Sequence, residues 1–283
     1  MTLYLIGIGL YDEKDITLRG LEVVKNCDII YLEHYTSILS VDKEKLEALY
    51  GKEVIIAPRD LVERKAEEKL IIPAKDKNVA LLVVGDPFGA TTHTDLMLRA
   101  KEAEIKIETI FNASVLNAVG VVGLELYKYG KTTSIVFPDN DWLPQTPYDV
   151  IKNNKEMGLH TLCLLDIKVA ESSAEDIAKE IDNPQPPRFM TVKEGLDVLL
   201  RIEEDAQKKG FSGTDGLSSS RKENIISKDT LAIGIARLGH PDQVIIAGTI
   251  SELLTSDFGE PLHSIIIPGE LHHIEEEVLS LLD

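Results

Sequence analysis

Cysteine and positive charge are scarce in this chain of 283 residues. Its two cysteines, Cys27 and Cys163, lie in separate apolar segments, and neither belongs to a CxxC pair. This spacing argues against a disulfide framework and a structural zinc site, so we expect two buried thiols and no metal centre. Lysine and arginine total 30 against 48 acidic residues, which gives a formal net charge of -18. Because nucleic-acid binding needs clustered basic residues, this balance disfavours a nucleic-acid partner.

Long apolar runs and a secretion signal are also missing from the sequence. No apolar segment approaches the roughly 20 residues that a membrane-spanning helix needs. The chain starts with a strand pattern, whereas a signal peptide starts with a basic segment followed by an apolar one. We therefore expect no membrane partner and a cytoplasmic location, and the chain length leaves room for two domains.

The first half of the chain alternates between strand-like and helix-like segments. Five segments rich in valine, isoleucine and leucine have the length of strands, and they cover residues 2–10, 28–32, 53–57, 79–84 and 105–110. The fourth is apolar without interruption, as expected of a strand that is buried on both faces of a parallel sheet. The segments between them predict helices, including one over 17–26 capped by Thr17 and a solvated one over 59–69. This alternation predicts a five-stranded, doubly wound parallel sheet.

A turn with two glycines and an acidic residue follows the fourth strand. Asp86 lies between Gly85 and Gly89, at the carboxyl end of the strand, where open parallel sheets bind ligands. Asp86 is therefore a candidate ligand-binding carboxylate. The alternative is that it only accepts hydrogen bonds from the amides of its own turn.

The first strand ends in Gly7-Ile8-Gly9, which is the start of a dinucleotide-binding pattern. Asp12 occupies the place of the third glycine, where its carboxylate would face pyrophosphate, so the sequence disfavours a nicotinamide or flavin site. The two glycines instead predict a tight exit that lets a small ligand lie against the backbone at Leu10.

Polar residues also follow the second and fifth strands. Glu33 lies within residues 31–37, a polar and aromatic segment that could line the same cleft as the acidic turn. The alternative is a loop whose tyrosine rings cover the core. After the fifth strand, Ser114 predicts the cap of an apolar helix that continues through Gly120 and Gly123. This capping role is compatible with a ligand contact at the amide near Val115.

The second half of the chain has a different pattern. Capping boxes at 172–175 and 191–194 each predict the start of a helix. A hairpin pattern over 231–247 predicts a pair of antiparallel strands. Residues 210–228 are rich in glycine and serine and predict a flexible excursion. The short links between strands predict a mixed or antiparallel sheet with helices. We therefore expect an N-terminal α/β domain over 1–113 and a C-terminal α/β domain over 114–283.

Three motifs resemble those of the tetrapyrrole-methylase-like methyltransferases in order and spacing, and they cover residues 5–10, 85–89 and 111–114. Within that superfamily the chain resembles the diphthine synthase family through further motifs at 15–17, 31–37, 129–132 and 261–264. The resemblance extends from Met1 to about Gly269, which makes it far more specific than any single motif.

The resemblance implies two α/β domains that bind S-adenosylmethionine in the cleft between them, S-adenosylhomocysteine as the product, and a homodimer. It implies methylation of the modified histidine of elongation factor 2, the diphthamide intermediate. Carried over position by position, the family's cofactor contacts fall on Leu10, Asp86, Gly89, Ser114, Val115, Leu165, Leu238 and His263. The residues by themselves had indicated only Leu10, Asp86 and Ser114.

Two features resemble the eukaryotic branch of the family, namely the long segment 158–166 and the excursion after Gly210. That branch implies four methylations that end in a methyl ester, and three methylations are the alternative. A corrinoid or tetrapyrrole methyltransferase and a noncatalytic module that binds elongation factor 2 are alternatives from other functional classes. Methyl transfer from a sulfonium depends on positioning and needs no metal. Glu33 and Asp12 are our candidates for orienting the acceptor cation.

Overall fold

The structure is a computed structural model, and it describes residues 1–89, 93–138, 142–169, 186–210 and 224–282. Contacts between residues divide the chain into two units. The first unit contains Met1–Ala118 and Ile167–Pro187, and the second contains Val119–Asp166 and Arg188–Asp283. The domain boundary expected at residue 113 stays a prediction.

The sheet of the first unit has five strands, and every neighbouring pair is parallel. In chain order they are β1 (Thr2–Gly7), β2 (Ile29–Glu33), β3 (Ile55–Ala57), β4 (Val79–Val83) and β5 (Lys106–Ile110). Their order across the sheet is β3-β2-β4-β1-β5. β4 is central and buried along its whole length, as its apolar sequence predicted. The five-stranded parallel sheet is therefore confirmed, and the carboxyl ends of β4, β1 and β5 lie side by side.

Among its described residues, the first unit contains the helices α1 (Leu18–Asn26), α2 (Lys43–Tyr50), α3 (Arg59–Glu63), α4 (Thr94–Glu102) and α5 (Val115–Ala118). A π-helical turn over Glu67–Ile71 and a 3-10 turn over Pro73–Lys75 lie between α3 and β4. The predicted cap of α1 is confirmed, because Thr17 Oγ1 accepts a hydrogen bond from Gly20 N at 3.0 Å.

The solvated helix predicted over 59–69 is confirmed only in part, because its charged side chains are mostly exposed but the α-helix ends at Glu63. The segment divides into α3 and the π-helical turn, and Val62, Ala66 and Leu70 are buried within it. These three residues are spaced by four and form an apolar stripe beneath the charged side chains. The many charges of the segment concealed this stripe.

The helix predicted after Ser114 is shorter than expected. α5 ends at Ala118, and a 3-10 turn over Val119–Val122 follows it. Gly123 then adopts a φ of 89°, and its amide donates to Gly120 O at 3.1 Å. This left-handed conformation, which glycine adopts readily, ends the helical segment.

The second unit contains a mixed sheet, as predicted. Its strands are β6 (Thr133–Ile135), β7 (Thr161–Leu165), β10 (Leu231–Ala236), β11 (Val244–Thr249) and β12 (His263–Ile267), in the order β11-β10-β12-β7-β6. Only β6 and β7 pair in parallel among these neighbours. The antiparallel pair of β10 and β11 confirms the predicted hairpin. Two short strands, β8 (Ile167–Lys168) and β9 (Arg188–Phe189), lie between β7 and β10 in the chain.

The described part of the second unit contains the helices α6 (Thr146–Glu156), α7 (Val192–Gly210), α8 (Ile250–Leu253) and α9 (His273–Leu279). The capping box predicted at the start of α7 is confirmed, because Thr191 N donates to Glu194 Oε2 at 2.9 Å and Glu194 N donates to Thr191 Oγ1 at 3.2 Å. The box predicted at 172–175 and most of the excursion at 210–228 lie outside the described residues.

Both cysteines are free and buried, as expected. Burial raises the pKa of the Cys27 thiol to about 11 and that of the Cys163 thiol to about 12. Within the described ranges, no helix is both long enough and apolar enough to cross a membrane.

A buried carboxylate connects α9 to an earlier loop of the second unit. Glu275 is 1% exposed. Its Oε1 accepts from Glu125 N at 2.9 Å and His160 Nε2 at 3.1 Å. Its Oε2 accepts from Lys128 Nζ at 2.6 Å and His272 N at 2.8 Å. Burial alone would raise the pKa of Glu275, but these four donors lower it to about 2.

We predict that Glu275 makes the free energy of unfolding depend on pH in the acid range. Its folded-state pKa of about 2 lies below the ordinary value of 4.5. The ionised group therefore stabilises the fold above pH 4.5, and this contribution is lost as the pH falls toward 2. Glu275→Gln should lower the free energy of unfolding at pH 7 by about 3 kcal/mol, because it removes one partner of a buried charge network. The loss of stability caused by Glu275→Gln should be much smaller at a pH near the folded-state pKa of about 2.

Urea unfolding at pH 7 and at about pH 2.5 measures this difference. The exposed neighbour Glu276 provides the matched control, since Glu276→Gln should change stability little at either pH. An equal loss for Glu275→Gln at both pH values would contradict the prediction.

Candidate functional site

The loops that leave β1 and β4 pair with each other at the carboxyl edge of the parallel sheet. Gly85 N donates to Gly9 O at 2.7 Å, and Gly9 N donates to Gly85 O at 3.3 Å. Both glycines have positive φ, 83° at Gly9 and 79° at Gly85. A Cβ at Gly7 would lie 2.6 Å from Gly85 O. Glycine is therefore needed for the loops to approach this closely, which confirms the tight exit predicted after β1.

Asp86 connects the loop after β4 to the loop after β5. Its Oδ1 accepts from Phe88 N at 2.9 Å, and its Oδ2 accepts from Asn112 N at 3.0 Å. The turn-amide contact that the sequence left as an alternative is therefore present. Each carboxylate oxygen offers about two lone pairs, so half-buried Asp86 keeps the capacity to accept from a ligand as well.

Asn112 joins the same loops from the other side. Its Nδ2 donates to Gly7 O at 3.0 Å and to Asp15 O at 3.0 Å, and its Oδ1 accepts from Ala113 N at 2.8 Å. Asn112 is not among the candidates that the sequence indicates, although it lies inside the motif at 111–114. Its position in that motif was the available signal.

Asp15 fixes the backbone at the candidate residue Leu10. Asp15 Oδ2 accepts from Leu10 N at 3.1 Å and from Tyr11 N at 2.8 Å. Asp15 was also missed as a site residue, although it opens the motif at 15–17. Asn112 and Asp15 together fix the exit of β1 against the loop after β5.

Gly89 and Ser114 lie in direct contact. Gly89 N donates to Asp86 O at 3.0 Å, and a Cβ at Gly89 would lie 2.7 Å from Ser114 Oγ. Ser114 is buried, and the adjacent Val115 is half-buried. The five candidates of the first unit are therefore connected at one edge of its sheet. Residues 90–92 of the same segment lie outside the described residues.

The three candidates of the second unit also lie at one end of a sheet. Leu165 is the last residue of β7, and His263 is the first of β12, whose next residue Ser264 pairs with Leu164. Ala236 at the end of β10 pairs with His263. The third candidate, Leu238, follows two residues after Ala236, so the strand register brings the three candidates to the same end.

His263 is 9% exposed, and both of its ring nitrogens have hydrogen-bond partners. Nδ1 accepts from Val192 N at 3.2 Å, and Nε2 donates to Glu260 O at 2.9 Å. Burial lowers the pKa of the imidazole, and the two hydrogen bonds require its neutral form. The ring is therefore fixed in one tautomer and one orientation.

Arg237 holds together the loops around Leu238 and His263, and the sequence analysis had not selected it. Its backbone has a φ of 50°, and its N donates to Leu262 O at 2.9 Å. Its side chain is 10% exposed, and its guanidinium donates to Phe258 O at 2.8 Å. A left-handed arginine is uncommon, so the surrounding hydrogen bonds stabilise a strained backbone at this position.

The two carboxylates expected to orient an acceptor differ in exposure. Glu33 is fully buried, and its carboxylate accepts from Tyr35 N, Thr36 N and Thr36 Oγ1. Asp12 is half-buried, and its Oδ1 accepts from Lys14 N at 2.8 Å. Tyr35 is 4% exposed, so this tyrosine covers the core as the alternative interpretation held.

Over the described parts of the chain, no group of three His, Cys, Asp or Glu side chains is placed to hold a metal ion. The carboxylates at the carboxyl edge of the first unit instead accept hydrogen bonds from backbone amides. This arrangement suits the binding of an organic ligand that carries hydroxyl or ammonium donors.

The chain is similar to known proteins over nearly its whole length. A family model for Tetrapyrrole (Corrin/Porphyrin) Methylases matches residues 2–197. The diphthine methyl ester synthase of Schizosaccharomyces pombe is 52% identical over 277 residues, 98% of this chain and 92% of that protein. The Homo sapiens protein of the same name is 49% identical over 280 residues, 99% of this chain and 94% of that protein. A crystal structure from Entamoeba histolytica, provisionally assigned as a diphthine synthase, has a TM-score of 0.83 and 42% identity, and covers 99% of this chain and 98% of its own.

We predict that Asn112→Asp destabilises the first unit. The substitution keeps the size of the side chain but places an acceptor where two carbonyl oxygens, Gly7 O and Asp15 O, now receive hydrogen bonds. The free energy of unfolding should fall by about 2–4 kcal/mol, because both carbonyls lose their donor. Asn26→Asp, which removes one exposed hydrogen bond at the end of α1, is the matched control and should cost less than about 1 kcal/mol. Equal losses for the two variants in urea unfolding would contradict the bridging role of Asn112.

Proposed function

Since this chain belongs to the tetrapyrrole methylase family, we propose that it is an S-adenosylmethionine-dependent methyltransferase that acts on the modified histidine of elongation factor 2 in diphthamide biosynthesis. The observation that supports this most strongly is the full-length similarity to relatives named diphthine methyl ester synthase. The name of those relatives also favours the methyl ester as the end point. That product requires four methylations, three on the amino nitrogen and one on the carboxylate.

The carboxyl edge of the first unit fits the chemistry of this cofactor. Asp86 offers a half-buried carboxylate with lone pairs to spare, which suits the ribose hydroxyls or the ammonium group of the cofactor. Glycine at 85 and 89 lets Ser114 pack closely against this loop, so Asp86, Gly89 and Ser114 lie together where a ligand could contact all three. We therefore keep the first five carried-over residues as cofactor contacts: Leu10, Asp86, Gly89, Ser114 and Val115.

We propose the three candidates of the second unit as cofactor contacts on the basis of the family resemblance. Leu165 and Leu238 offer apolar side chains, one buried and one half-buried. His263 has committed both ring nitrogens to Val192 N and Glu260 O. Its proposed contact with the cofactor therefore uses its ring carbons or its backbone, and the imidazole does not act as a proton acceptor.

S-adenosylmethionine supplies a methyl group that its sulfonium already activates. The residues of this chain contribute orientation, which can lower a barrier by on the order of 7–11 kcal/mol when the reactants are well aligned. The acceptor amine must be neutral to attack, so its ammonium form has to lose a proton first. Asp12, which is half-buried beside Leu10, is the better placed of the two candidate carboxylates for contacting the acceptor cation, because Glu33 has no exposed surface.

A cytoplasmic homodimer completes the proposal. Two free, buried cysteines suit a reducing compartment, and the resemblance supports the dimer. The formal net charge of -18 suits a protein acceptor with a basic surface, because opposite charges accelerate encounter.

We predict that the full-length protein adds four methyl groups to elongation factor 2 that carries the unmethylated diphthamide intermediate. Intact-mass measurement after incubation with S-adenosylmethionine counts the groups directly. Mild alkaline treatment should remove one of the four, because only the ester is labile. A gain of three, resistant to alkali, would select the alternative end point. No gain on this acceptor, with methylation of a precorrin, would overturn the proposed substrate.

We predict that Asp86→Asn weakens the binding of S-adenosylhomocysteine by about tenfold or more, which corresponds to about 1.4 kcal/mol. The amide keeps the side-chain volume and can still accept from Phe88 N through Oδ1, but it loses the charge and one acceptor. Isothermal titration calorimetry measures the affinity. Asp95→Asn, on the exposed face of α4, should leave it unchanged. Unchanged affinity in Asp86→Asn, with the protein folded, would remove Asp86 from the cofactor site.

A further inference from the structure

Residues 34–40 form a segment, here called the strap, that is tied at both ends to different strands of the first sheet. It starts after Glu33, the last residue of β2. It ends at Ser40, whose N and Oγ both donate to Tyr11 O, at 3.1 and 2.8 Å. Tyr11 belongs to the exit of β1, and β4 lies between β2 and β1 in the sheet. The strap therefore extends from the end of β2 past the position of β4 to the exit of β1.

The packing of the strap shows that it crosses the edge of the sheet from one face to the other. Tyr35 belongs to the core cluster that contains Leu81 and its odd-numbered neighbours in β4. Leu39 packs against the cluster that contains Leu82 and its even-numbered neighbours. Successive residues of a strand point to opposite faces, so these two clusters lie on opposite faces. The middle of the strap must therefore pass over the carboxyl edge.

The first anchor of the strap is the buried carboxylate of Glu33. Oε1 accepts from Tyr35 N at 3.3 Å and Thr36 N at 2.8 Å, and Oε2 accepts from Thr36 Oγ1 at 2.7 Å. A carboxylate without exposed surface is costly unless its oxygens receive hydrogen bonds. Here every donor comes from the strap itself, so the carboxylate fixes the first turn of the strap.

The middle of the strap is available to a ligand at the carboxyl edge. Thr36, Ser37 and Ile38 are half-buried, and His34 is exposed. The cofactor contacts carried over from the family include no residue between Leu10 and Asp86. The hydroxyl and imidazole groups of the strap are donors and acceptors of the kind that bind polypeptide backbone.

We propose that the strap forms the acceptor side of the methyltransferase site and that Glu33 is a positioning residue that acts through it. This inference rests on the proposed function. The acceptor is a polypeptide loop that presents its modified histidine at the carboxyl edge, beside the cofactor-binding loops after β1 and β4. Glu33 does not touch the acceptor, and its role is to hold the main chain at Tyr35 and Thr36 in the conformation that the acceptor meets.

A pair of substitutions at Glu33 separates the positioning role from a direct role of its charge. Glu33→Ala removes all three hydrogen bonds and should raise KM for elongation factor 2 by about tenfold or more, while kcat changes less. In Glu33→Gln the amide oxygen can still accept from both backbone amides, and the Thr36 hydroxyl can rotate to accept from the new NH2. Glu33→Gln should therefore recover acceptor KM to within about threefold of wild type.

The second anchor provides an independent variant in case Glu33→Ala does not fold. Ser40→Ala keeps the backbone hydrogen bond to Tyr11 O but removes the hydroxyl one, and should raise acceptor KM by about threefold. Ser280→Ala is the matched control, because it removes a similar hydroxyl-to-carbonyl bond in the second unit and should leave KM unchanged. The affinity for S-adenosylhomocysteine, measured by calorimetry, should stay within about twofold of wild type in every variant.

Two results would overturn the positioning role. The first is Glu33→Gln losing as much acceptor affinity as Glu33→Ala, because the charge itself would then contact the acceptor. The second is wild-type KM in both Glu33→Ala and Ser40→Ala. Failure of the proposed function has a separate signature, in which the wild-type protein binds S-adenosylhomocysteine but transfers no methyl group to elongation factor 2.

Discussion

One side-chain amide determines how the carboxyl edge of the first unit is assembled. Asn112 donates to carbonyls at the end of β1 and at Asp15, and its own backbone amide donates to Asp86. Three loops from three strands therefore take their positions from a single residue. The glycines at 7 and 9 make this possible, since a Cβ there would collide with Gly85 O or with the side chain of Asp15. Gly85 contributes through its left-handed φ of 79°, which glycine adopts readily. The hydrogen bonds of Asn112 therefore help to position three candidate contacts, Leu10, Asp86 and Ser114.

The strands of the first sheet and the candidates Leu10, Asp86 and Ser114 beyond their carboxyl ends could be predicted, because their signals are local. Leu165, Leu238 and His263 came only from the resemblance. An uninterrupted apolar run predicted β4. The position of Asp86 at the carboxyl end of that buried strand made it a candidate for ligand binding. Asn112 and Asp15 could not be selected in the same way, because the hydrogen bond that matters joins positions 97 residues apart. Nothing in the residues around either one distinguishes it from an ordinary polar loop residue. The resemblance included both in its motifs without giving either a role.

The burial of charged side chains was the other feature that the sequence pattern did not predict. Glu275 begins a run of three glutamates, and only the packing of α9 shows that the first is buried while the next two are exposed. Glu33 is similar, since a polar segment after a strand suggested contact with a ligand, whereas its carboxylate is enclosed by its own turn. In both cases the sequence shows a glutamate but not that its carboxylate is buried, nor which donors it accepts hydrogen bonds from.

The connection between Glu275 and Lys128 has a consequence for the order in which the chain folds during its synthesis. Their hydrogen bond spans 147 residues, and a ribosome adds on the order of 5–20 residues per second. Lys128 and His160 are therefore made roughly 6–30 seconds before the carboxylate that pairs with them. During that interval the second unit lacks its last helix, and the Lys128 ammonium and the His160 imidazole have no carboxylate partner from it. The first unit needs no such late residue for its sheet, so folding from the amino terminus can begin while the second unit is still incomplete.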